Sequence, residues 1–142
     1  MPTLTSAIAA SASGLNAERT RMEVAISNLA NAESTRSASG EPYRRRDVVL
    51  AADTATPFEG TLQRAGATGV RVAAIVEDRT AFKQRYQPSH PDADAEGFVA
   101  LPNVEPAVEM VDMLSAARAY QANLTAINLV RDMLQRALDL GR

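Results

Sequence analysis

The chain has 142 residues, of which 46% are apolar and only 4% aromatic, with no Trp and no Cys. The length suits one ordinary domain; a core poor in rings favours helix-on-helix packing over a β-sandwich, and the missing Cys excludes disulfides, thiol catalysis and Cys-based metal sites. Fifteen basic against 17 acidic residues leave a net charge of −2, which argues against a dedicated nucleic-acid binder, since that role needs a basic excess to displace counterions.

Residues 1–33 read as a long helix with a narrow apolar seam. Ile8, Leu15, Met22 and Leu29 lie seven apart, and Leu4, Ala12 and Ile26 thicken the stripe. That is the spacing of one helix face. Thr3, Thr5 or Ser6 is placed to cap its start. Gly14 interrupts it at a cost of about 1 kcal/mol relative to Ala, which marks either a kink or a close helix contact. So thin a stripe needs a partner to be stable.

Residues 34–105 hold most of the Pro and Gly. Short β-prone runs appear at Asp47–Leu50, Gly69–Val76 and Lys83–Tyr86, separated by Gly, Pro, Asp and Asn. The expectation is a small β-rich insert with loops at Ser34–Gly40, near 53–68 and near 87–97.

Residues 106–142 carry the strongest periodicity. Stepping by three then four from Met110 gives Met113, Ala117, Tyr120, Leu124, Ile127, Arg131, Leu134 and Leu138. Only Arg131 breaks this apolar row, which fits a coiled-coil seam. Pro106 suits the first helical position, Glu109 and Asp112 favour the positive end of the dipole, and Gly141 stops the helix. The predicted fold is therefore mainly α with a β-rich insert. The long N- and C-terminal helices pair as an antiparallel-type coiled coil, and surplus seam favours assembly.

Residues with chemical potential read more simply as structure. His90 is the single histidine, and His90-Pro91-Asp92-Ala93-Asp94 is a solvated turn before it is a metal site. Arg44-Arg45-Arg46 reads as an exposed strand start that tolerates charge, or as a contact for an acidic neighbour in an assembly. Glu77-Asp78 lies in a polar stretch. There is no Gly-x-Ser-x-Gly elbow and no phosphate-binding Gly-rich loop. Met110, Met113 and Met133 are packing residues. No enzyme, cofactor or metal is expected. No run of roughly 18 apolar residues predicts a membrane span, and no cleavable signal peptide is visible.

Three stretches resemble the bacterial flagellar rod and hook proteins. Ser27-Asn28-Leu29-Ala30-Asn31-Ala32 is similar to their N-terminal signature. Glu109-Met110-Val111-Asp112-Met113, followed by Ala117-Arg118-Ala119-Tyr120-Gln121-Ala122-Asn123, is similar to their C-terminal one. Many relatives follow the first signature closely with Thr-x-Gly-Tyr. Here Glu33–Gly40 intervenes before Pro42-Tyr43-Arg44-Arg45-Arg46, which resembles the proximal-rod members. So do His90–Asp94, Glu96-Gly97-Phe98-Val99 and Leu101-Pro102-Asn103-Val104. Phe98 stands where Tyr is usual, and Ala51–Gly69 matches no motif.

The resemblance implies a structural subunit of the rod, the drive shaft that crosses the periplasm. It implies export by the flagellar type III apparatus without a cleaved signal, and other rod proteins and copies of itself as partners. It implies terminal helices that form the inner tube. The motif residues carried over are Asn28, Leu29, Asn31, Pro42, Tyr43, Arg44, Pro102, Asn103, Arg118, Tyr120 and Asn123. Two other classes stay open on the residues alone. One is a cytosolic coiled-coil adaptor or chaperone binding a partner helix; the other is a small metal enzyme using His90, Asp92 and Asp94. Neither requires paired terminal signatures.

Overall fold

The structure is a computed structural model that describes residues 4–37, 40–53 and 68–140. Its elements follow the order α1 (Leu4–Ala30), β1 (Arg46–Asp53), β2 (Gly69–Glu77), β3 (Lys83–Tyr86), β4 (Phe98–Leu101) and α2 (Pro106–Leu140). β1 pairs with β2 and β3 with β4, in two separate two-stranded sheets. Two long terminal helices thus flank small sheets, as the hydropathy patterns predict.

The helix ends follow from local chemistry. Thr5 and Ser6 lie inside α1, so neither caps it; Thr3 falls outside the described residues, as does Gly141 at the other end of the chain. α1 ends where Asn31 donates from its backbone N–H and from Nδ2 to the Ser27 carbonyl, at 3.1 and 2.8 Å. That carbonyl is one of those a helix terminus leaves without an intrahelical partner. Ser34 Oγ then closes the turn on the Asn31 carbonyl. α2 opens at Pro106, whose missing N–H costs nothing at the first helical position. The Glu105 carbonyl accepts the first two helical bonds, from Val108 and Glu109.

β4 is absent from the elements predicted from sequence. Phe-Val-Ala-Leu is a four-residue run between Gly97 and Pro102, too short to show a period. Val99 and Leu101 turn inward, at 1% and 7% exposure, and β3 supplies the ladder, with Lys83 opposite Leu101 and Tyr86 opposite Phe98. Tyr86 and Phe98 meet edge to face at 5.3 Å. Gly97 precedes β4 at φ +85°, and an added Cβ would lie 2.9 Å from the Tyr86 ring. Both facts require glycine. Of the predicted loops, 87–97 is closed by Gln87 N–H on the Gly97 carbonyl and by Asp94 N–H on the Phe98 carbonyl. Most of the 53–68 loop and part of Ser34–Gly40 lie outside the described residues.

Two compact units emerge. One comprises Met1–Thr20, Val49–Ala74 and Ser115–Arg142; the other comprises Arg21–Val48 and Ile75–Leu114. In the first, Gly14 on α1 abuts Asn123 on α2, where an added Cβ would lie 2.9 Å from Asn123 Nδ2. Gly14 is therefore a site of close helix contact. Beside it, Ser13 Oγ accepts from Val70 N–H at 3.0 Å and donates to the Ala10 carbonyl, fixing the start of β2 on α1. In the second unit the fully buried side chains include Val99, Val104, Pro102 and Asn28.

Candidate functional site

Asn28 is 1% exposed and its amide is fully used. Nδ2 donates to the Arg46 carbonyl at 2.8 Å and to Glu109 Oε2 at 2.9 Å. Oδ1 accepts from Arg46 N–H at 3.0 Å and from the Tyr43 hydroxyl at 2.9 Å. Two donors and two acceptor lone pairs are all a side-chain amide has. Asn28 thereby pairs with Arg46 as a neighbouring strand would.

Glu109 completes the arrangement from the first turn of α2. It is 2% exposed, and Arg45 Nε donates to its Oε1 at 2.6 Å. Asp47 and Asp112 stand 3.6 Å from the other two guanidinium nitrogens. Burial works against the charge on Arg45. The hydrogen bond and charge of Glu109, with Asp47 and Asp112, outweigh it and raise the Arg45 pKa above its ordinary value. Asn103 holds the same segment from the other side. Its Oδ1 accepts from Arg45 N–H, and its Nδ2 donates to the Asp78 carbonyl and to Thr80 Oγ1. We refer to Asn28, Arg45 and Glu109 as the polar clamp.

Each of the three arginines has a partner within the chain. Arg45 is in the clamp. Arg44 lies 4.3 Å over the Phe82 ring, a cation–π contact. Arg46 pairs with Glu77 at 3.8 Å. The fork chemistry of Arg45 went unread in the sequence because a run of three arginines does not say which one turns inward. Glu109 is legible in the sequence as a favourable first-turn charge and as the first residue of the C-terminal signature, not as a buried acceptor.

The apolar seams are displaced from the buried rows. On α1 the buried residues are Gly14, Ala17, Ala25 and Asn28. Ile8, Leu15, Met22 and Leu29 are half-buried, and Ile26 is exposed. On α2 the buried residues are Glu109 and Ala116; Met113, Tyr120 and Ile127 are half-buried, while Met110, Leu124, Leu134 and Leu138 are exposed. Within the chain the inward row of α2 runs one residue before Met110 and Leu124, which leaves these two members of the assembly seam facing outward. Small residues let helix backbones approach where Met and Leu would hold them apart, and the buried polar groups find partners there. Of the remaining motif residues, Pro102 is buried, Pro42 half-buried and Arg118 exposed. Asn123 donates to the Ala119 carbonyl beside Gly14.

His90, Asp92 and Asp94 hold their own loop. Asp92 N–H donates to His90 Nδ1 at 3.1 Å. The Asp92 carboxylate accepts from Thr35 Oγ1 and pairs with Arg36. Asp94 Oδ1 accepts from the N–H groups of Glu96 and Phe98. Among the described residues no group of three or more His, Cys, Asp or Glu could hold a metal ion, and no helix is long and apolar enough to cross a membrane.

These residues can be set beside known proteins. The family model for the C-terminal region of the flagellar basal body rod FlgEFG proteins matches residues 95–140, the stretch that contains β4, Asn103 and α2. The chain is 46% identical to the flagellar basal-body rod protein FlgC of Bacillus subtilis, over 93% of its own length and 94% of the relative's. The chain belongs to the FlgC family of flagellar basal-body rod proteins. It is 43% identical to FlgC of Salmonella typhimurium over 92% of each chain, and 41% identical to FlgC of Borreliella burgdorferi over 95% of each. For this FlgC-family chain, the clamp and the outward apolar rows are the features through which a structural role has to be read.

Proposed function

We propose that this structural rod subunit polymerises through the apolar rows of α1 and α2. The reading assigns residues 1–33 and 106–142 to an inner, tube-building part. It assigns 34–105 to an outer part that makes subunit-specific contacts. The observation that carries it is the surplus of large apolar side chains facing outward on α2: Val108, Met110, Val111, Leu114, Leu124, Leu129, Met133, Leu134 and Leu138 are each at least 37% exposed. A helix whose apolar residues face water gains by covering them.

Antiparallel pairing of the terminal helices is part of this reading. It is supported by one contact in each unit, Gly14 with Asn123 and Asn28 with Glu109. The α1 members are 14 residues apart, as are the α2 members, in opposite directions: two heptads on each helix. Contacts between unlike patches of successive copies do not close into a ring and so build a helical tube. Each copy that buries apolar rows on more than one neighbour lets the tube carry torque. The subunit reaches the rod, in the periplasm, through the flagellar type III export apparatus without losing a signal peptide, and its partners are other rod proteins and itself. Thin seams cannot offset the ordering entropy of the free ends alone, so the helix ends complete their order on assembly.

Replacing Leu124 or Ile127 with Asp in the source bacterium tests the reading. Loss of swimming with normal expression of the chain is expected, and the variant should be missing from purified basal bodies. Normal swimming would overturn it.

A further inference from the structure

The opening of α2 is built inside-out. At about 100° per residue, Glu109, Asp112, Met113 and Ala116 share one arc. That arc faces protein: Ala116 is 0% exposed and Glu109 2%. The opposite arc carries Val108, Met110, Val111 and Leu114, and Val111 is 64% exposed. A surface helix ordinarily buries the apolar arc and leaves carboxylates in water. α1 repeats the inversion where it meets the clamp. Asn28 and Ala25 are buried while Ile26 is 52% exposed.

Something on the buried side must oppose the hydrophobic preference. Glu109 takes one hydrogen bond from Arg45 and one from Asn28. Rotating α2 by one residue would bring Met110 into its place. The same rotation would strip the acceptor from Arg45 Nε and from one proton of Asn28 Nδ2. A buried donor or charge that loses its partner is penalised far more than an exposed apolar group. A single buried polar residue is known to fix register in helix pairs at some cost in stability.

We infer that the Asn28–Glu109–Arg45 clamp is a rotational lock that keeps the apolar arc of α2 outward in the free subunit. It acts within one chain, so it goes beyond the rod reading and does not depend on it. Releasing the lock lets α2 turn by one residue, which carries Met110 into the buried Glu109 position and Ala116 into the exposed Ser115 position.

The chain has no Cys, so single reporters are clean. Met110→Cys and Ala116→Cys are each made in the full chain, at low concentration, with and without the paired change Asn28→Leu and Glu109→Leu. Maleimide labelling is compared with the rate in denaturant. With the lock intact, Met110→Cys should label near the denatured rate and Ala116→Cys at least tenfold slower. With the lock removed the two should change in opposite senses, each by tenfold or more. Unchanged rates in a folded variant overturn the proposal, as does slow labelling of Met110→Cys with the lock intact. If circular dichroism shows the Leu pair unfolded, the milder Glu109→Met is read the same way. Loss of helix in both overturns the lock, because a released helix stays folded.

Discussion

Arg45 Nε stands 2.6 Å from Glu109 Oε1, and the carboxylate that receives it is 2% exposed. The pair joins the segment before β1 to the first turn of α2, and Asn28 adds α1 to the same carboxylate. Removing one partner leaves a buried charge without compensation, which costs about 3–5 kcal/mol. Arg45→Met and Glu109→Ala should therefore each lower stability by about 3 kcal/mol, and the double variant by clearly less than the sum. Urea unfolding of the four proteins checks this. Additive losses would mean the two groups act separately.

Gly97 should resist any side chain. Its φ of +85° costs an L-residue about 1–2 kcal/mol, and the Cβ would meet the Tyr86 ring at 2.9 Å. Gly97→Ala is expected to destabilise the β3–β4 hairpin by about 2 kcal/mol. Hydrogen exchange at the Tyr86 and Phe98 amides is the local readout. Adding Tyr86→Ala should recover the steric part and leave the backbone part.

Acid should weaken the protein partly through Asp78. The backbone N–H of Thr80, and then its side chain, hold the Asp78 carboxyl below its ordinary value. Burial opposes this, and the charge of Arg45 assists it. A depressed folded-state pKa favours the folded form above the unfolded value, about 3.9. That contribution is lost as pH falls through the folded value. The slope of stability against pH below about 4 should thus flatten in Asp78→Asn. An unchanged slope would assign the acid sensitivity to other carboxylates.

The extent of the helices is legible in the sequence, and Lys83–Tyr86 is read to the residue, because period and turn residues mark them. The row that faces inward is not. Glu109, Ala116 and Asn123 repeat with the same seven-residue spacing as Met110, Ala117 and Leu124. Periodicity alone cannot choose between adjacent rows, and hydrophobicity marks the exposed one. What decides is long-range: Arg45 reaching Glu109 across 64 positions, and Gly14 making room for Asn123. Asn28 and Asn103 are legible as motif members, but their partners include backbone groups of Arg45, Arg46 and Asp78, which no side-chain pattern announces.

The two rows make opposite predictions for size. Ala116 is 0% exposed, so Ala116→Leu inserts methylenes into filled space and should cost about 1–3 kcal/mol. Leu124 is 44% exposed. Leu124→Ser removes an apolar group that already faces water, and should shift stability of the isolated chain by about 0.5 kcal/mol or less. If periodicity had identified the packed row, the order would reverse: Leu124→Ser would lose core and Ala116→Leu would sit harmlessly at the rim. Thermal unfolding of the two single variants separates the cases. The stable Leu124→Ser chain then serves for assembly assays in which any defect belongs to the outward face and not to folding.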